Sequence, residues 1–463
     1  MNVIWIVADT FRQDHLGAYG KQNVFTPSLD ALAARSTRFD RHYAAGFPTM
    51  PTRADHATGR WTMSFMGWEP LSAETTTLAE ILSSSGIHTA AIVDTPFYLR
   101  GGMNYDQGFQ TFSMHSGQEG SVTRLLKSHH HESRDIKEAW RYESDRNVAQ
   151  TMTGAMEWLQ HHYKEDFFLY VDTWDPHEPW DAPGYYTEMY MPGYDGEVVQ
   201  PIYGNWRDSP GFSEKRVEKA LATYRGEVTM VDTWVGYLLR LVENMGLMEN
   251  TAIIFTSDHG FYFGEHGGMF GKLTFAKRPD GTLYQHGDPE ALWDFSPLYE
   301  EIVLVPLLIY VPQAGAGVYG GLTSAIDVMP TVLDIMGQDT PSWVEGRSLL
   351  GKTHDRSSPG REFAVSTVPF ANPGDPVRSV DNIRRRLGRA PVTTVTTAEW
   401  SLLYSLDEGM SQMYNLQSDP SQLQNVISGS GDAAKGVHDY LVRFMRETGL
   451  PDTLLRPRLE LRL

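Results

Sequence analysis

The stretch NVIWIVADT, residues 2–10, is a short apolar run that ends in a carboxylate. A run of this length and composition is typical of a strand that is buried on both faces of a parallel sheet. The stretch TAIIFTSDHG, residues 251–260, has the same form and ends in an acid followed by a histidine. Open α/β sheets bind their ligands at the carboxyl ends of the strands. The two stretches therefore predict a site that contains Asp9, Asp258 and His259.

Strands and helices alternate along the chain up to about residue 350. Apolar residues have helical or strand-like spacing in the segments 27–39, 75–85, 88–93, 166–171 and 214–248. Alternation of this kind predicts an α/β fold, with a mostly parallel central sheet and helices on both of its faces. We expect this catalytic domain to span residues 1–355.

The pattern changes after a polar stretch around residues 351–360. Residues 399–406 and 411–416 have the spacing of two short antiparallel strands, and residues 433–448 have that of a closing helix. Residues 356–463 are therefore predicted to form a small α+β subdomain with an antiparallel sheet. The tail that begins at Arg456 is expected either to pack on a neighbouring subunit of a homo-oligomer or to lie loose.

Composition indicates a soluble enzyme rather than a nucleic-acid-binding module. The 463 residues are 41% hydrophobic and carry a formal net charge of −19. Nucleic acids are bound by clustered Lys and Arg, so this acidic balance argues against nucleic acid as a partner. The sequence has no apolar run of 18 residues, which predicts no membrane span, and its first strand begins too early to leave room for a signal peptide. We therefore expect a cytoplasmic protein.

The segment TMPTR, residues 49–53, followed by ATGR at residues 57–60, carries the clearest family signal. It resembles the signature Cys/Ser-x-Pro-Ser/Thr-Arg of the sulfatase branch of the alkaline phosphatase superfamily. Further family-like segments make the resemblance cover most of the chain; they lie at residues 26–30, 264–272, 327–337 and 414–420. The resemblance implies an alkaline phosphatase-like fold and a metal-dependent hydrolase of phosphate, phosphonate or sulfate esters.

The first residue of the signature decides the chemistry. In the family this Cys or Ser is oxidised to formylglycine, whose hydrated aldehyde attacks the ester. This chain has Thr49 at that position and contains no cysteine. Oxidation of a threonine at Cβ would yield only a ketone, so we expect no formylglycine. A threonine hydroxyl whose pKa is lowered by a metal ion can itself serve as the nucleophile.

The resemblance implies one divalent metal ion, held by Asp9, Thr49, Asp258 and His259. An imidazole among the ligands favours manganese or zinc, with magnesium or calcium also open. A second metal ion would require further ligands, which only His177, His266 and either Asp172 or Asp175 could supply.

Two cationic side chains are expected to act on the transferring group. Arg53 lies one helical turn after Thr49 and would orient the nucleophile or the ester oxygens. Lys272 resembles the family's lysine that binds the oxygens of the transferring group. Together they would neutralise the charge that an anionic ester brings into the site.

Two histidines are candidates for the general acid. His177, in the segment WDPHEPW, resembles the histidine of the family's Pro-His-x-Pro element and is the leading candidate. His266 is either a second acid or a residue that fixes His259 or the loop.

Two segments depart from the arylsulfatase pattern. Thr10 stands where arylsulfatases carry a second acid, so one metal ligand is missing or is replaced by a hydroxyl or a water. Residues 93–99, VDTPFYL, lack the lysine and histidine that clamp sulfate. This segment resembles the phosphonate monoester hydrolase and phosphodiesterase relatives, in which Thr and Tyr line the pocket. That resemblance assigns Thr95 and Tyr98 to substrate binding.

Other segments near the site carry weaker signals. Residues 273–297 form an apparent insertion beside the catalytic lysine and are predicted to act as a lid or specificity loop. Within it, the side chains best able to contact a substrate are Tyr284, His286 and Trp293. Arg12 and Asp14 are expected to form a structural ion pair at the mouth of the site; the alternative is that one of them lines the site. The three adjacent histidines at residues 129–131 lie in a predicted solvated loop, where they would bind metal only adventitiously.

These assignments lead to three hypotheses for the function. The first is hydrolysis of phosphate or phosphonate esters, because a threonine adduct must be hydrolysed by water whereas a hydrated aldehyde can expel sulfate. The alternative is a sulfatase that works without formylglycine, which the whole-chain resemblance supports. The third is a non-catalytic family member that binds anions, against which the complete set of charged residues argues. In the first two cases the partner is a small anionic ester.

Overall fold

An eight-stranded sheet forms the centre of the molecule. The computed structural model describes residues 1–20, 23–95, 99, 102–115, 141–284, 292–295, 297–370, 376–378, 384–387 and 392–461. In spatial order the strands of the sheet are Gly317–Tyr319, Thr37–Phe39, Leu307–Tyr310, Thr251–Ser257, Asn2–Ala8, Phe167–Thr173, His88–Val93 and Thr111–Met114. Seven of these strands run in one direction, and Leu307–Tyr310 runs against its two neighbours. The predicted mostly parallel α/β sheet is confirmed.

The register of the sheet brings the carboxyl ends of its central strands to one level. Ala8 pairs with Ser257 on one side and with Thr173 on the other. On the next strand, Val93 pairs with Asp172. The residues that follow these strands therefore emerge side by side at one edge of the sheet, where parallel sheets place their ligand sites.

Helices cover both faces of the sheet. Alternate residues of its strands point to opposite sides, and the apolar side chains on each side are buried by a layer of helices. Ile4 and Ile6 pack in a core with the helices Pro27–Ala33, Asn147–His162 and Glu214–Asn244. Val3 and Trp5 face the other side, against the helices Leu78–Ser84 and Val328–Ile335. The remaining α-helices of the described residues are Thr49–Thr58, Gly184–Glu188, Glu265–Gly268, Glu300–Val303, Leu350–His354, Gly431–Glu447 and Asp452–Leu455.

One predicted helix is shorter than its apolar spacing suggests. The helix expected over residues 27–39 ends at Ala33, and Thr37–Phe39 is a strand of the central sheet. Arg38 pairs with Leu308, and Thr37 pairs with Ile309. Pairing with a distant strand therefore overrides the local helical spacing in this segment.

The C-terminal part contains a four-stranded antiparallel sheet, as the sequence predicts. Its strands are Ala364–Thr367, Thr393–Thr396, Trp400–Tyr404 and Gln412–Asn415. The helix Gly431–Glu447 packs on this sheet, in a core that also includes Trp61 and Ile326. The described part of the tail packs on its own chain, since Tyr404 donates a hydrogen bond to the Glu460 carbonyl. A contact between the tail and a second subunit stays a prediction.

The C-terminal sheet also holds the segment that leads to Thr49. The Phe47 amide donates to the Thr367 carbonyl at 2.9 Å, and the Thr367 amide donates to the Ala45 carbonyl at 3.0 Å. Ser366 Oγ donates to the Ala44 carbonyl. The segment before the expected nucleophile is therefore positioned by the last quarter of the chain.

Smaller sheets surround the carboxyl edge. One joins the predicted insertion to the C-terminal part, through Thr274–Phe275, Leu292–Phe295, Arg384–Leu387 and Pro376–Arg378. Another contains Gly204–Asn205, Met269–Gly271 and Tyr262–Phe263, and a two-stranded sheet pairs His42–Tyr43 with Thr323–Ser324. In the part of the chain that the structure describes, no helix combines the length and the apolar character needed to cross a bilayer.

Alanine substitutions at Gly108 and Gly102 can test how closely the backbone approaches the helix Leu78–Ser84. Gly108 has φ +84°, and a Cβ built on it would lie 2.1 Å from the Glu80 amide nitrogen. Gly102 has φ +92°, but no atom lies within 4 Å of its Cβ position. Alanine at either position costs roughly 1 kcal/mol for the left-handed conformation, and crowding adds roughly 1–3 kcal/mol at Gly108 alone. We expect Gly108→Ala to lower the urea midpoint of unfolding clearly more than Gly102→Ala does. Equal midpoints for the two variants would contradict the close approach.

Candidate active site

Three candidate metal ligands meet at the carboxyl edge of the central sheet. Asp9 follows the strand Asn2–Ala8, and Asp258 and His259 follow the strand Thr251–Ser257. One ligand atom from each lies within 4.8 Å of the others, and all three residues are fully buried. The sequence-predicted carboxylates and imidazole are thus brought together by the register of two neighbouring strands.

The polar atoms of this cluster suit a divalent cation. Asp9 Oδ2 is buried and makes no hydrogen bond, although Arg53 Nη1 lies 3.1 Å from it. Asp258 Oδ1 accepts from the amides of Thr10, at 2.9 Å, and His259, at 2.7 Å, which fix the carboxylate. His259 Nδ1 donates to the Gly260 carbonyl at 3.0 Å, which leaves the lone pair on Nε2 for a metal. Three protein ligands with an open position are typical of catalytic metal sites.

The pKa values of the cluster agree with this role. Burial, and then the neighbouring Asp258 carboxylate, raise the pKa of Asp9 well above its ordinary value. Burial would also raise the pKa of Asp258, but His259 and Arg53 outweigh it and lower that pKa. Burial lowers the pKa of His259 to about 4, against the opposing effect of Asp258, so the imidazole is neutral at neutral pH. A bound cation would relieve the repulsion between the two carboxylates.

Thr10, which replaces the family's second acid, organises the ligands. Its Oγ1 donates to Asp9 Oδ1 at 2.6 Å, and its amide donates to Asp258. The residue has φ +60°, a left-handed conformation that a β-branched residue seldom adopts. Strained residues of this kind persist where the surroundings hold them, often in functional sites. The threonine therefore fixes both carboxylates from one position.

Thr49 is the first residue of the helix Thr49–Thr58 and is buried beside the candidate metal ligand His259. Its Oγ1 lies 3.4 Å from His259 Nε2. The amino end of a helix carries a partial positive charge, which favours an oxyanion and an anionic substrate at this point. The hydroxyl thus lies beside the expected cation and at the positive end of the helix.

Arg53, one turn further along the helix, contacts three buried carboxylates. Its Nε and Nη2 donate to the two oxygens of Asp172 at 3.0 and 2.8 Å, a bidentate pair. Its Nη1 lies 2.5 Å from Asp258 Oδ2 and 3.1 Å from Asp9 Oδ2. Burial lowers the pKa of this guanidinium, but Asp172, Asp258 and Asp9 outweigh that effect and raise it. The arginine therefore neutralises part of the acidic cluster and orients the helix.

Asp172 has a role that the sequence analysis did not assign. It was expected only as one ligand of a second metal ion, but it binds Arg53 and also accepts from Thr95 Oγ1 at 3.0 Å and Tyr170 OH at 2.7 Å. The signal for it was present, because the acid lies near the carboxyl end of a buried strand, as Asp9 and Asp258 do. Among the described residues, no second metal group forms around Asp172, Asp175, His177 and His266.

Lys272 and His177 form the cationic side of the site. Lys272 Nζ donates to His177 Nε2 at 2.6 Å, and His177 Nδ1 donates to the Glu178 carbonyl at 2.7 Å. These partners define a neutral imidazole with its proton on Nδ1. Burial, and then Lys272, lower the pKa of His177 well below its ordinary value. The Trp174 ring, whose centroid lies 4.0 Å away, packs on the imidazole and fixes its orientation.

Of the remaining residues that the sequence predicts for the site, the structure describes His266 and Thr95 but not the side chains expected to contact the substrate. His266 Nε2 lies 2.9 Å from Glu301 Oε2, and its ring stacks on Tyr299, so the histidine fixes its loop, the second of the two roles expected for it. Thr95 is fully buried and contacts Asp172, which makes it a support of Arg53 in this structure. Tyr98, His286 and the side chain of Trp293 lie outside the described residues.

The ion pair expected at the mouth of the site is present. Arg12 Nη2 lies 2.7 Å from Asp14 Oδ2, and Arg12 Nη1 lies 2.6 Å from Glu265 Oε1. Burial lowers the pKa of the Arg12 guanidinium, but the two acids outweigh this effect and raise it. This network ties the first strand to the loop that carries His266, which agrees with a structural role.

Comparison with known proteins identifies the family. The family model described as Sulfatase matches residues 1–338. The chain belongs to the sulfatase family. Among the relatives of this sulfatase-family protein, the arylsulfatase of Clostridium perfringens is 25% identical over 510 residues, which cover 97% of this chain and 96% of the relative.

Solved structures share the fold. The phosphonate monoester hydrolase of Agrobacterium radiobacter gives a TM-score of 0.71 at 21% identity, with 96% of each chain covered. The phosphonate monoester hydrolase of Silicibacter pomeroyi gives a TM-score of 0.73 at 19% identity, with 98% of this chain and 96% of that chain covered. The sulfatase-family protein is therefore an ester hydrolase of the alkaline phosphatase superfamily, which includes both kinds of enzyme.

The metal site can be tested by ion binding without any substrate. We expect Asp258→Asn to weaken Mn²⁺ binding by at least about 100-fold, because it removes a charged ligand from a site with three protein ligands. Equilibrium dialysis of the apo protein against MnCl₂ measures the effect. Asp94→Asn is the matched control, since Asp94 is equally buried but binds Thr151 and Thr173 outside the ligand group. Equal Mn²⁺ affinity in the two variants would refute the assignment.

Proposed function

We propose that this protein hydrolyses phosphate or phosphonate esters, monoesters or diesters, with the Thr49 hydroxyl as its nucleophile. One observation carries the proposal: a threonine occupies the position of the formylglycine precursor, at a helix amino end and 3.4 Å from a candidate metal ligand. The chain also contains no cysteine that maturation could convert. The nucleophile must therefore work as a hydroxyl.

The class of ester follows from how the covalent adduct is resolved. A hydrated aldehyde releases sulfate by collapse of its own hemiacetal. A threonine ester has no second hydroxyl on the same carbon, so water must attack the transferred group itself. Phosphorus accepts a second in-line attack of this kind, and the surrounding cationic groups can stabilise its equatorial oxygens. A threonine nucleophile thus favours phosphorus over sulfur.

Asp9, Asp258, His259 and Thr49 would hold one divalent cation, with manganese or zinc favoured by the imidazole. When bound, the cation would lower the pKa of the threonine hydroxyl and offset the negative charge of the ester. Arg53 holds the two carboxylate ligands in place, because it pairs with Asp9, with Asp258 and with Asp172.

Before the first half-reaction, the Thr49 hydroxyl loses its proton to solvent. Thr49 Oγ then attacks the phosphorus atom and forms a threonine–phosphorus ester. The bond from phosphorus to the leaving oxygen breaks, and the leaving oxygen takes the electron pair. Lys272 neutralises the oxygens of the transferring group, and His177 donates a proton to the leaving alcohol. In the second half-reaction, water attacks phosphorus and the bond to Thr49 Oγ breaks. His177 takes the proton from that water, which restores the deprotonated Thr49 and the protonated His177 with which the first half-reaction began.

The contact between Lys272 and His177 supports a way in which His177 would gain the proton for this role. Lys272 donates to His177 Nε2, so this nitrogen carries no proton in the absence of substrate. An anionic ester oxygen would attract Lys272 and remove its bond to the imidazole. The same anion would raise the pKa of His177 by its charge, so that the imidazole becomes protonated beside the leaving group.

Sulfate ester hydrolysis is the second candidate function. Sulfatase names are frequent among the relatives, including the arylsulfatase with 25% identity over nearly the whole chain. A sulfate ester has the same tetrahedral shape and needs the same cationic groups around it. In this case water would have to attack sulfur in the threonine adduct to complete the turnover.

Variants at Thr49 test the nucleophile and the ester class together. The metal-reconstituted protein is assayed on p-nitrophenyl phosphate, bis-p-nitrophenyl phosphate, p-nitrophenyl phenylphosphonate and p-nitrophenyl sulfate. We expect phosphorus esters to be preferred, and we expect Thr49→Val to lower kcat/KM at least about 1,000-fold, since it removes only the hydroxyl. Thr49→Ser is the matched control, because it keeps the hydroxyl; its intact mass must show that the introduced serine has not been oxidised to formylglycine.

The outcomes of this assay separate the hypotheses. A sulfate preference that Thr49→Val removes would establish the second candidate function. Full activity of Thr49→Val would exclude Thr49 as the nucleophile for either ester. Stoichiometric metal with no turnover of any of the four esters by the parent protein would argue against both ester classes.

The role of His177 can be tested through the leaving group. Poor leaving groups need a proton from a general acid, whereas p-nitrophenolate departs with little help. We expect His177→Asn to lower kcat/KM for a phenyl or methyl ester about 100-fold more than for the matching p-nitrophenyl ester. His266→Asn is the control, because its contacts are with Glu301 and Tyr299. A loss that is the same for all leaving groups would indicate a role for His177 in binding alone.

A further inference from the structure

A second group of metal-ligand side chains lies at the other end of the central sheet. His88 is the first residue of the strand His88–Val93, and His162 is the last residue of the helix Asn147–His162. Glu165 lies in the connection between that helix and the strand Phe167–Thr173. These are the amino ends of the strands, about 20 Å from the carboxyl edge that carries the active site. The group therefore belongs to no part of the ester-hydrolysis machinery.

The three side chains already converge on one point. His88 Nδ1 lies 2.6 Å from Glu165 Oε2, and His162 Nδ1 lies 3.0 Å from Glu165 Oε1. One ligand atom from each lies within 4.8 Å of the others. The two imidazoles are 21% and 28% exposed and the glutamate is 45% exposed, so the group opens to solvent on one side.

Backbone pairing fixes the positions from which these side chains extend. The His88 amide donates to the Asp166 carbonyl at 2.9 Å, and the Glu165 amide donates to the His162 carbonyl at 3.0 Å. The Asn2 side chain holds the same connection, since its Oδ1 accepts from the Phe167 amide at 3.0 Å. A ligand that binds these three residues would therefore meet a backbone that is already ordered.

Trp158 orients both imidazoles. Its ring stacks on His162 with a centroid distance of 4.6 Å and meets His88 edge-on at 5.2 Å. The ring contacts leave both Nδ1 atoms directed at the carboxylate. An aromatic side chain that fixes two imidazoles in this way reduces the side-chain entropy that a bound ion would otherwise remove.

We propose that His88, His162 and Glu165 form a structural site for Zn²⁺, separate from the catalytic metal site. Two imidazoles and a carboxylate are a ligand set that zinc accepts, with water as the fourth ligand from the open side. Tetrahedral zinc holds neighbouring ligand atoms about 3.3 Å apart, given bonds of about 2.0 Å to nitrogen and oxygen. The observed separations of 2.6 and 3.0 Å from the imidazoles to the carboxylate are shorter than this, so the exposed glutamate would have to turn outward. The ligand atoms of the two imidazoles, which lie within 4.8 Å of each other, would have to move to the tetrahedral spacing.

Charge and position favour a cation over a simple hydrogen-bonded cluster. His162 lies at the carboxyl end of a 16-residue helix, where the helix dipole is negative and attracts positive charge. The chain as a whole carries a net charge of −19, which adds a general attraction for cations. A zinc ion here would join a helix to two strands of the central sheet and stabilise that edge of the fold.

The test must exclude the other metal-binding residues of the chain. The background for all variants is the full-length protein with Asp258→Asn, which weakens the catalytic site, and with alanine at His129, His130 and His131. Isothermal titration with ZnCl₂ alone then measures stoichiometry and affinity. We expect about one equivalent of Zn²⁺ in this background, and we expect His88→Ala and Glu165→Gln to weaken it at least about 10-fold.

His161→Ala is the matched control. His161 is the exposed neighbour of His162, its ring centroid lies 6.5 Å from that of His162, and it belongs to no metal group of the described residues. We expect this variant to keep the full zinc affinity.

Titration with CoCl₂ gives an independent measurement of the ligand geometry. The background protein and His161→Ala should both develop the intense visible bands of tetrahedral Co²⁺, and Glu165→Gln should lose them. Zinc affinity that is unchanged by His88→Ala and Glu165→Gln would overturn the proposal. So would the lack of any zinc binding in the background protein, which would show that the group is a hydrogen-bonded clamp.

Discussion

The contact between the Arg53 guanidinium and three buried carboxylates is the interaction on which the rest of the site depends. Asp9, Asp172 and Asp258 come from three neighbouring strands, and each is fully buried. Ionised carboxylates are costly to bury without a partner, and a planar guanidinium with several donors can serve all three at once. A lysine would offer a point charge and could not make the bidentate pair with Asp172. The same contact fixes the first turn of the helix that begins at Thr49, so the sheet and the candidate nucleophile share one anchor.

The site has an acidic side and a cationic side, and Thr49 lies next to the acidic one. Asp9 and Asp258 are suited to a metal ion, whereas Lys272 and His177 are suited to the anionic ester. Neither side is fully neutralised by its own contacts: Asp9 Oδ2 makes no hydrogen bond and lies 3.1 Å from Arg53 Nη1, whereas Lys272 donates to a neutral imidazole and lies 4.0 Å from Glu178 Oε1. Preorganised groups that lack their natural partners stabilise charge when substrate and cation arrive, because little reorganisation is then needed.

Much of this arrangement could be predicted from sequence, because strand ends are recognisable. Asp9, Asp258 and His259 each follow a short apolar run, and the order of strands in an α/β sheet brings such ends together. The contacts of Asp172 and Thr10 could not be predicted, and neither could which of its two expected roles His266 has. They depend on which strands are neighbours, on a left-handed backbone at Thr10, and on the orientation of single side chains. The prediction of a helix from the spacing of apolar residues was also wrong at Thr37–Phe39. There, pairing with a strand some 270 positions later in the chain decides the structure.

The C-terminal sheet has a consequence for how the enzyme becomes active during its synthesis. Ala45 and Phe47 are hydrogen-bonded to Thr367, and the sheet that contains Thr367 is completed only by the strand Gln412–Asn415. During synthesis, the segment that carries the candidate catalytic residues, from Asp9 to Lys272, leaves the ribosome before the strands of this sheet have been made. Domains of a growing chain fold in the order in which they emerge. The nascent protein would thus assemble its candidate metal ligands and the Arg53 contacts early, and would gain the hydrogen bonds that hold the segment before Thr49 only when the chain is nearly complete.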